Sequence, residues 1–240
     1  MAQLLTCPVP TKSFPGFCPQ GVALLRAPRS KRSLPANREL YEQKITTPLL
    51  NMVCSITREF ARFARHYVTP PAKAVFDVSG NIGSSRTAAP SWTHPAAIWV
   101  HKDAVETQGA CFYFHFTARE AVVLGGVYSA GPDEVKAYRK LIEKDYREFQ
   151  EILRNPRLKK LAGELQGEPL QHMPKGFPAH HPAADLVRRK QWYLVSMLDM
   201  DLISTTQLMP AVVSRFEAMA PFVEFFNRTL PRRSAAKKTR

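Results

Sequence analysis

The chain has 240 residues, 45% apolar and 22% charged, which suits a soluble globular protein with a sizeable core. Its formal charge of +14 comes mostly from two ends. Residues 1–38 carry Lys12, Arg26, Arg29, Lys31, Arg32 and Arg38 without an acid, and the tail carries Arg232, Arg233, Lys237, Lys238 and Arg240. The stretch between is close to neutral, so no dedicated nucleic-acid binding is expected, and no apolar run reaches the ~20 residues of a membrane span.

Residues 1–35 contain Pro8, Pro10, Pro15, Pro19, Pro28 and Pro35, a spacing that forbids a long helix and predicts a poorly ordered basic segment. Residues 36–230 are expected to form one domain and 231–240 a disordered basic tail. Met1–Val9 lacks the basic start of a secretory signal, so a cytoplasmic location is expected. A helical pattern starts near Asn37 and restarts at Pro48, with Leu49, Val53, Ile56, Phe60 and Phe63 on one face until Pro70 and Pro71 stop it. Lys73–Phe76 and Ala96–His101 read as strands, joined by the window Asp77–Trp92.

Cys111–Phe116 alternates, with Phe112, Phe114 and Phe116 facing a core and Cys111, Tyr113 and His115 facing away. Thr117–Glu120 turns the chain into Ala121–Tyr128, an antiparallel hairpin in which Leu124-Gly-Gly-Val suggests a bulge. A helix opens at Pro132, with Asp133 and Glu134 at its positive end, and presents Val135, Tyr138, Ile142, Tyr146, Phe149 and Leu153. Asn155-Pro156 breaks it, and Arg157–Ala162 forms a short helix. Another helix is expected from Pro182 through Lys190, and a last one from Pro210 to about Leu230. The fold class that follows is α+β, a single domain with a mostly antiparallel sheet packed by several helices.

Two groups of residues can carry chemistry. Tyr113 and His115 are candidates to line a cleft, with His115 as acid, base or ligand; alternatively they mark the solvent- or helix-covered side of the sheet. Lys175, His181, Asp185, Arg188 and Lys190 form the second group. Asp185 and Arg188 share a helix face, and His181 at its start suits an anion or, alternatively, a cap beside an exposed ion pair. No metal site is expected: His180 and His181 are adjacent, and His66, His94, His101 and His172 stand isolated. No cofactor motif appears, and neither a GxSxG nor a phosphate loop is present. Cys7, Cys18, Cys54 and Cys111 form no CxxC pair, so reduced thiols are expected, with Cys54 and Cys111 as inert core residues.

Several stretches resemble a known family. Gly109-Ala-Cys-Phe-Tyr-Phe-His-Phe-Thr, Leu124-Gly-Gly-Val-Tyr and Gly131-Pro-Asp are similar to its central hairpin and following helix. Pro174-Lys-Gly-Phe-Pro-Ala-His-His-Pro-Ala-Ala-Asp-Leu, with Arg188, Lys190 and Trp192, resembles its late motif, and Ala36-Asn-Arg-Glu-Leu-Tyr-Glu its first helix. The family is the bacterial and fungal conserved-hypothetical one called domain of unknown function 2461. The resemblance covers residues 36–76 and 94–230 and implies one α+β domain without an assigned activity.

The family's Arg-Asp-x-Arg-Phe signature, followed by Asp-Lys and Tyr, suits an anion site, since arginine forks grip phosphate or carboxylate. It should fall in Asp77–Trp92 and is missing there, as is the family's Arg-Glu-Trp-Phe entry, replaced by Ala27-Pro-Arg-Ser-Lys-Arg-Ser-Leu-Pro. Gly80–Thr87 can be encoded so that the neighbouring frame spells Arg-Glu-Tyr-Arg-Phe-Lys-Gln-Asp, close to that signature. This predicts a window translated out of frame between two compensating insertions or deletions. The resemblance thus implies a small anionic or phosphate-bearing ligand in intact relatives and an impaired site here. The alternatives are an enzyme using His115 and the Lys175–Lys190 cluster, or a structural, partner-binding module.

Overall fold

Five strands pair in chain order into one antiparallel meander: β1 (Val75–Asp77), β2 (Pro95–Trp99), β3 (Cys111–Phe116), β4 (Ala121–Val127) and β5 (Trp192–Leu198). The computed structural model describes residues 14–26, 38–67, 69–77, 94–104, 109–178 and 180–231. Its α-helices among the described residues include α1 (Pro19–Leu24), α2 (Thr47–Phe63), which continues a π-helical stretch over Glu42–Thr46, α3 (Pro71–Ala74), α4 (Pro132–Lys144), α5 (Tyr146–Arg154), α6 (Pro156–Ala162), α7 (Ala184–Val187) and α8 (Leu208–Asn227). The fold is a single α+β domain, as the residue patterns predict.

Register decides which side chains share a face. Trp99, Phe112, Gly125 and Leu194 lie opposite one another across β2 to β5, and Ala97, Phe114, Val123 and Ser196 form the next row. This inner face packs on α2 and α8. Phe60 of α2 is its hub, with ring centroids 5.5 Å from Trp99, 5.1 Å from Phe112 and 5.7 Å from Phe216. Edge-on contacts such as those with Trp99 and Phe216 add to the burial energy of the rings.

The Gly125-Gly126 pair corrects one expectation. β4 pairs continuously on both sides, so no bulge is present. The glycines instead let α8 and β5 approach closely. A Cβ on Gly125 would lie 2.8 Å from the Met219 sulfur. On Gly126, where φ is +125°, it would lie 2.4 Å from the Trp192 carbonyl oxygen.

The hairpin turn is built as the sequence suggests. Thr117 N–H donates to the Glu120 carbonyl at 2.7 Å, and the Thr117 hydroxyl accepts from the amides of Arg119 and Glu120. Pro132 opens α4 behind Gly131, and the Glu134 carboxylate accepts the Gly131 N–H at 2.9 Å. The expected single helix from Pro132 is divided at Asp145, whose φ of −111° and ψ of 33° leave the helical region.

Four further expectations are corrected. Residues 14–26, inside the stretch expected to be poorly ordered, dock onto the domain: Phe14 and Phe17 are buried, and Phe17 N–H donates to the Ile203 carbonyl at 2.8 Å. Two phenylalanines are enough to anchor a proline-broken segment, since each ring brings a large apolar area. The helix from Pro182 is only one turn, α7: the Lys190 N–H donates to the Glu168 carbonyl instead of continuing the helix, and Arg139 and Trp192 donate to the carbonyls of Val187, Arg189 and Leu186. β5 was not anticipated at all. Cys18 and Cys111 are free thiols, but Cys54 is disulfide-bonded, which sequence spacing cannot reveal because pairing depends on Cα approach in space. Among the described residues, no helix is long and apolar enough to cross a membrane.

Candidate functional site

The outer face of the sheet carries the residues opposite the phenylalanines. Its rows hold Ala96, His115, Val122 and Met197, then Ile98, Tyr113, Leu124 and Val195. Val122 and Leu124 are buried, whereas Met197 is 55% exposed and Tyr128, at the end of β4, is 47% exposed.

On this face β3 and the residue before β2 bring two imidazoles together. The rings of His94 and His115 lie 4.4 Å apart between centroids, and Tyr113 is 5.4 Å from His115. The Tyr113 hydroxyl is 3.5 Å from His94 Nε2, and His115 Nε2 is 3.6 Å from Glu120 Oε1. His94, which looks isolated in sequence, is therefore a neighbour of the predicted His115.

Burial disfavours the charged form of both imidazoles. Burial, reinforced by the neighbouring His115, lowers His94 to about 4, with Glu120 pulling weakly the other way. Burial also lowers His115, although Glu120 favours its protonated form. The phenol of Tyr113 is pushed up, mainly by burial. His115 Nδ1 is buried and has no hydrogen-bond partner among the described residues. An unmet polar atom of this kind costs about 1–3 kcal/mol, so the position is either strained or set to receive a partner.

The second predicted group is not gathered into this site. Lys190 lies just before Trp192, and Tyr193 pairs with Gly126 at one end of the sheet. His115 aligns with Val122 and Met197 at the other end, about 13 Å along the strand. Nor do the five residues converge on a ligand. Lys190 Nζ pairs with Glu168 at 3.2 Å, and Arg188 pairs with Asp185, whose side chain is 86% exposed. His181 accepts the Ala183 N–H at 3.1 Å and packs edge-on against Tyr146. Lys175 is exposed.

The late motif is braced by Trp192 and by two arginines, Arg139 and Arg189, that the sequence reading does not single out. Arg139 of α4 donates from Nε to the Val187 carbonyl and from Nη2 to the Arg189 carbonyl, at 2.9 and 3.0 Å. Trp192 Nε1 donates to the Leu186 carbonyl at 2.9 Å, and Arg189 donates to the Gly167 carbonyl at 2.6 Å. Carbonyl acceptors, with no carboxylate, mark these arginines as braces of backbone.

A third cluster was missed entirely. His66 in the turn after α2, His101 after β2 and Glu224 on α8 place their ligand atoms within 4.8 Å of one another. The rings of His66 and His101 meet edge to face at 5.3 Å, and Lys102 N–H ties the two turns by donating to the His66 carbonyl at 2.8 Å. His101 Nδ1 accepts the Asp103 N–H at 3.2 Å and lies 3.7 Å from the Asp103 carboxylate. Burial raises Glu224, while His66, Arg228 and Arg65 oppose that rise. Burial lowers His101, and Asp103 partly restores it. No spacing rule links three residues from three distant elements, so only the fold discloses them.

Asp77–Trp92, the window where the family signature should fall, lies outside the described residues apart from the backbone of Asp77. No curated protein and no solved structure matches the chain. The family model described as conserved hypothetical protein (DUF2461) matches residues 23–225. The chain belongs to that family.

Proposed function

We propose that the outer sheet face around His94, Tyr113 and His115 is the place where intact members bind a small anionic or phosphate-bearing ligand. The reading has one main support: two imidazoles in ring contact, one with a buried nitrogen that lacks a hydrogen-bond partner among the described residues. An anion there favours the protonated rings, so binding takes up protons and relieves the unmet nitrogen. Affinity for the anion then rises as pH falls toward the bound-state pKa of the histidines and declines above it. The described face has no fixed cation beside the pair, and the arginines of the missing signature would supply that charge. In this chain the site is accordingly impaired.

The test compares the chain with a version in which Gly80–Thr87 is replaced by Arg-Glu-Tyr-Arg-Phe-Lys-Gln-Asp. Inorganic phosphate and a nucleoside monophosphate should raise the melting temperature of the restored chain more at pH 6 than at pH 8. His115→Gln should abolish that rise. A restored, folded chain that neither anion stabilises overturns the reading. The coding DNA tests the frame: a neighbouring frame that does not spell the signature ends the out-of-frame explanation.

The enzyme reading retains one observation in its favour, the Glu120 carboxylate beside His115 Nε2, the arrangement in which an acid orients a base. It no longer draws on the Lys175–Lys190 cluster. Loss of a detected turnover in both His115→Gln and Glu120→Gln, with ligand affinity kept, would favour it over simple binding.

A further inference from the structure

We propose that His66, His101 and Glu224 form a binding site for a divalent transition metal of the zinc class, separate from the outer sheet face. Two imidazoles and one carboxylate are a donor set that suits this ion, and three protein ligands leave a fourth position open for water or an anion. A carboxylate-only cluster would suit magnesium or calcium; the two histidines argue against both.

The supporting geometry has three parts. First, the ligand atoms already lie within 4.8 Å of one another without an ion. Bonds of about 2.0–2.2 Å in a tetrahedron set ligand atoms roughly 3.3 Å apart, so closure needs side-chain shifts of about 1–1.5 Å. Glu224 has the rotatable bonds to make that adjustment, and it projects from a long helix whose backbone is fixed by the core.

Second, Asp103 stands where an outer carboxylate stands in carboxylate–histidine–metal sites. With His101 Nδ1 turned toward Asp103, Nε2 is the nitrogen to offer. On metal binding the ring proton moves from Nε2 to Nδ1. Nδ1–H would then donate a hydrogen bond to the Asp103 carboxylate, now 3.7 Å away, in place of the present backbone N–H contact.

Third, the two histidine turns are rigidly joined. The Lys102 amide bonds to the His66 carbonyl, and Tyr67, next to His66, packs its ring edge-on against His101 at 5.5 Å. The buried Tyr67 hydroxyl is in turn bound to Asn227, one helical turn from Glu224. All three ligands are therefore mounted on parts that brace one another.

The charges around the cluster shape what else binds. Arg65, Arg228 and Lys102 are close enough to act on Glu224 or His101, and Arg228 is paired with Glu148. They oppose a bare dication but favour an anionic fourth ligand on the bound ion. The site thus differs from the outer face in its ligand chemistry as well as its position.

Titration of the full chain with cobalt(II) and zinc(II) chloride tests the proposal. Cobalt(II) should bind at one ion per chain with the visible absorption of a four-coordinate centre, and zinc should displace it. His66→Gln and Glu224→Gln should each weaken binding at least about tenfold and remove that absorption, whereas His172→Gln, at an exposed histidine elsewhere, should change nothing. Asp103→Asn should weaken binding by about 10–100-fold while preserving the spectrum of a bound ion. Circular dichroism and unfolding of each variant separate loss of the site from loss of the fold. The proposal is overturned if the folded chain binds neither ion, or if it binds them equally well with Glu224 or His66 replaced. Neither outcome bears on phosphate binding at the outer face.

Discussion

One six-residue strand supplies both the most settled and the least settled part of this molecule. On the inner side of β3, Phe112, Phe114 and Phe116 are fully buried: Phe112 meets rings of α2 and α8, Phe116 lies against Phe17, and Phe114 stacks on Phe116. On the outer side, Tyr113 and His115 carry polar atoms at the edge of water, with one imidazole nitrogen unmet. The backbone is the same for both, and its register is continuous on both neighbours. The difference therefore lies in the partners, not in the strand. A side chain whose every contact is satisfied stabilises the fold, and one left incomplete is where a ligand can add something.

Breaking the inner side should have the largest effect. Phe112→Ala removes a ring in contact with Phe60, Tyr67 and Phe216, and should cost about 3–5 kcal/mol in denaturant unfolding. Gly126→Ala forces a Cβ against the Trp192 carbonyl at a positive φ, and should cost about 1–3 kcal/mol by the same measurement. A neutral result there would mean that β4 and β5 shift apart freely.

The outer side should respond mainly to pH. His94 titrates near 4 in the fold against an ordinary value of 6.5, so the unfolded chain takes up a proton that the native chain refuses. Stability is complete above about pH 6.5 and is lost as pH falls toward 4, with no further loss from this group below that. His94→Gln should flatten that acid limb in a series of melts between pH 4 and 7, and an unchanged limb would assign it to other groups. The smallest effect is expected from His115→Phe. It removes the unmet nitrogen and should leave stability unchanged or raise it slightly, because no hydrogen bond is lost at Nδ1. A loss as large as that of Phe112→Ala would place His115 with the core after all.

Sequence patterning revealed the inner face because alternation in Cys111–Phe116 pairs one large apolar side with one polar side. It failed at Trp192–Leu198, where both faces are apolar: Trp192, Leu194 and Leu198 face inward, while Tyr193, Val195 and Met197 face outward, so no period-two contrast exists. The same limit hid the metal cluster, since His66, His101 and Glu224 come from a turn, a strand end and a helix. His115 was visible because its strand was; its neighbour His94 was not, because only the β2–β3 pairing places them together. In the late motif, identity of residues was legible but purpose was not. Lys190 and Arg188 look like an anion grip in sequence, and in space they meet Glu168 and Asp185.

Asn227, the last residue of α8, is buried, and its amide accepts from the Ala110 N–H, donates to the Ala110 carbonyl and donates to the Tyr67 hydroxyl. One side chain thus joins the turn after α2, the start of β3 and the end of the final helix. During synthesis the first two wait for the third. Until residue 227 has cleared the ribosome, Tyr67 and Ala110 have only water as a hydrogen-bond partner, and the inner sheet face lacks Phe216, Phe222 and Phe226. The nascent chain should accordingly stay loosely packed until late in translation.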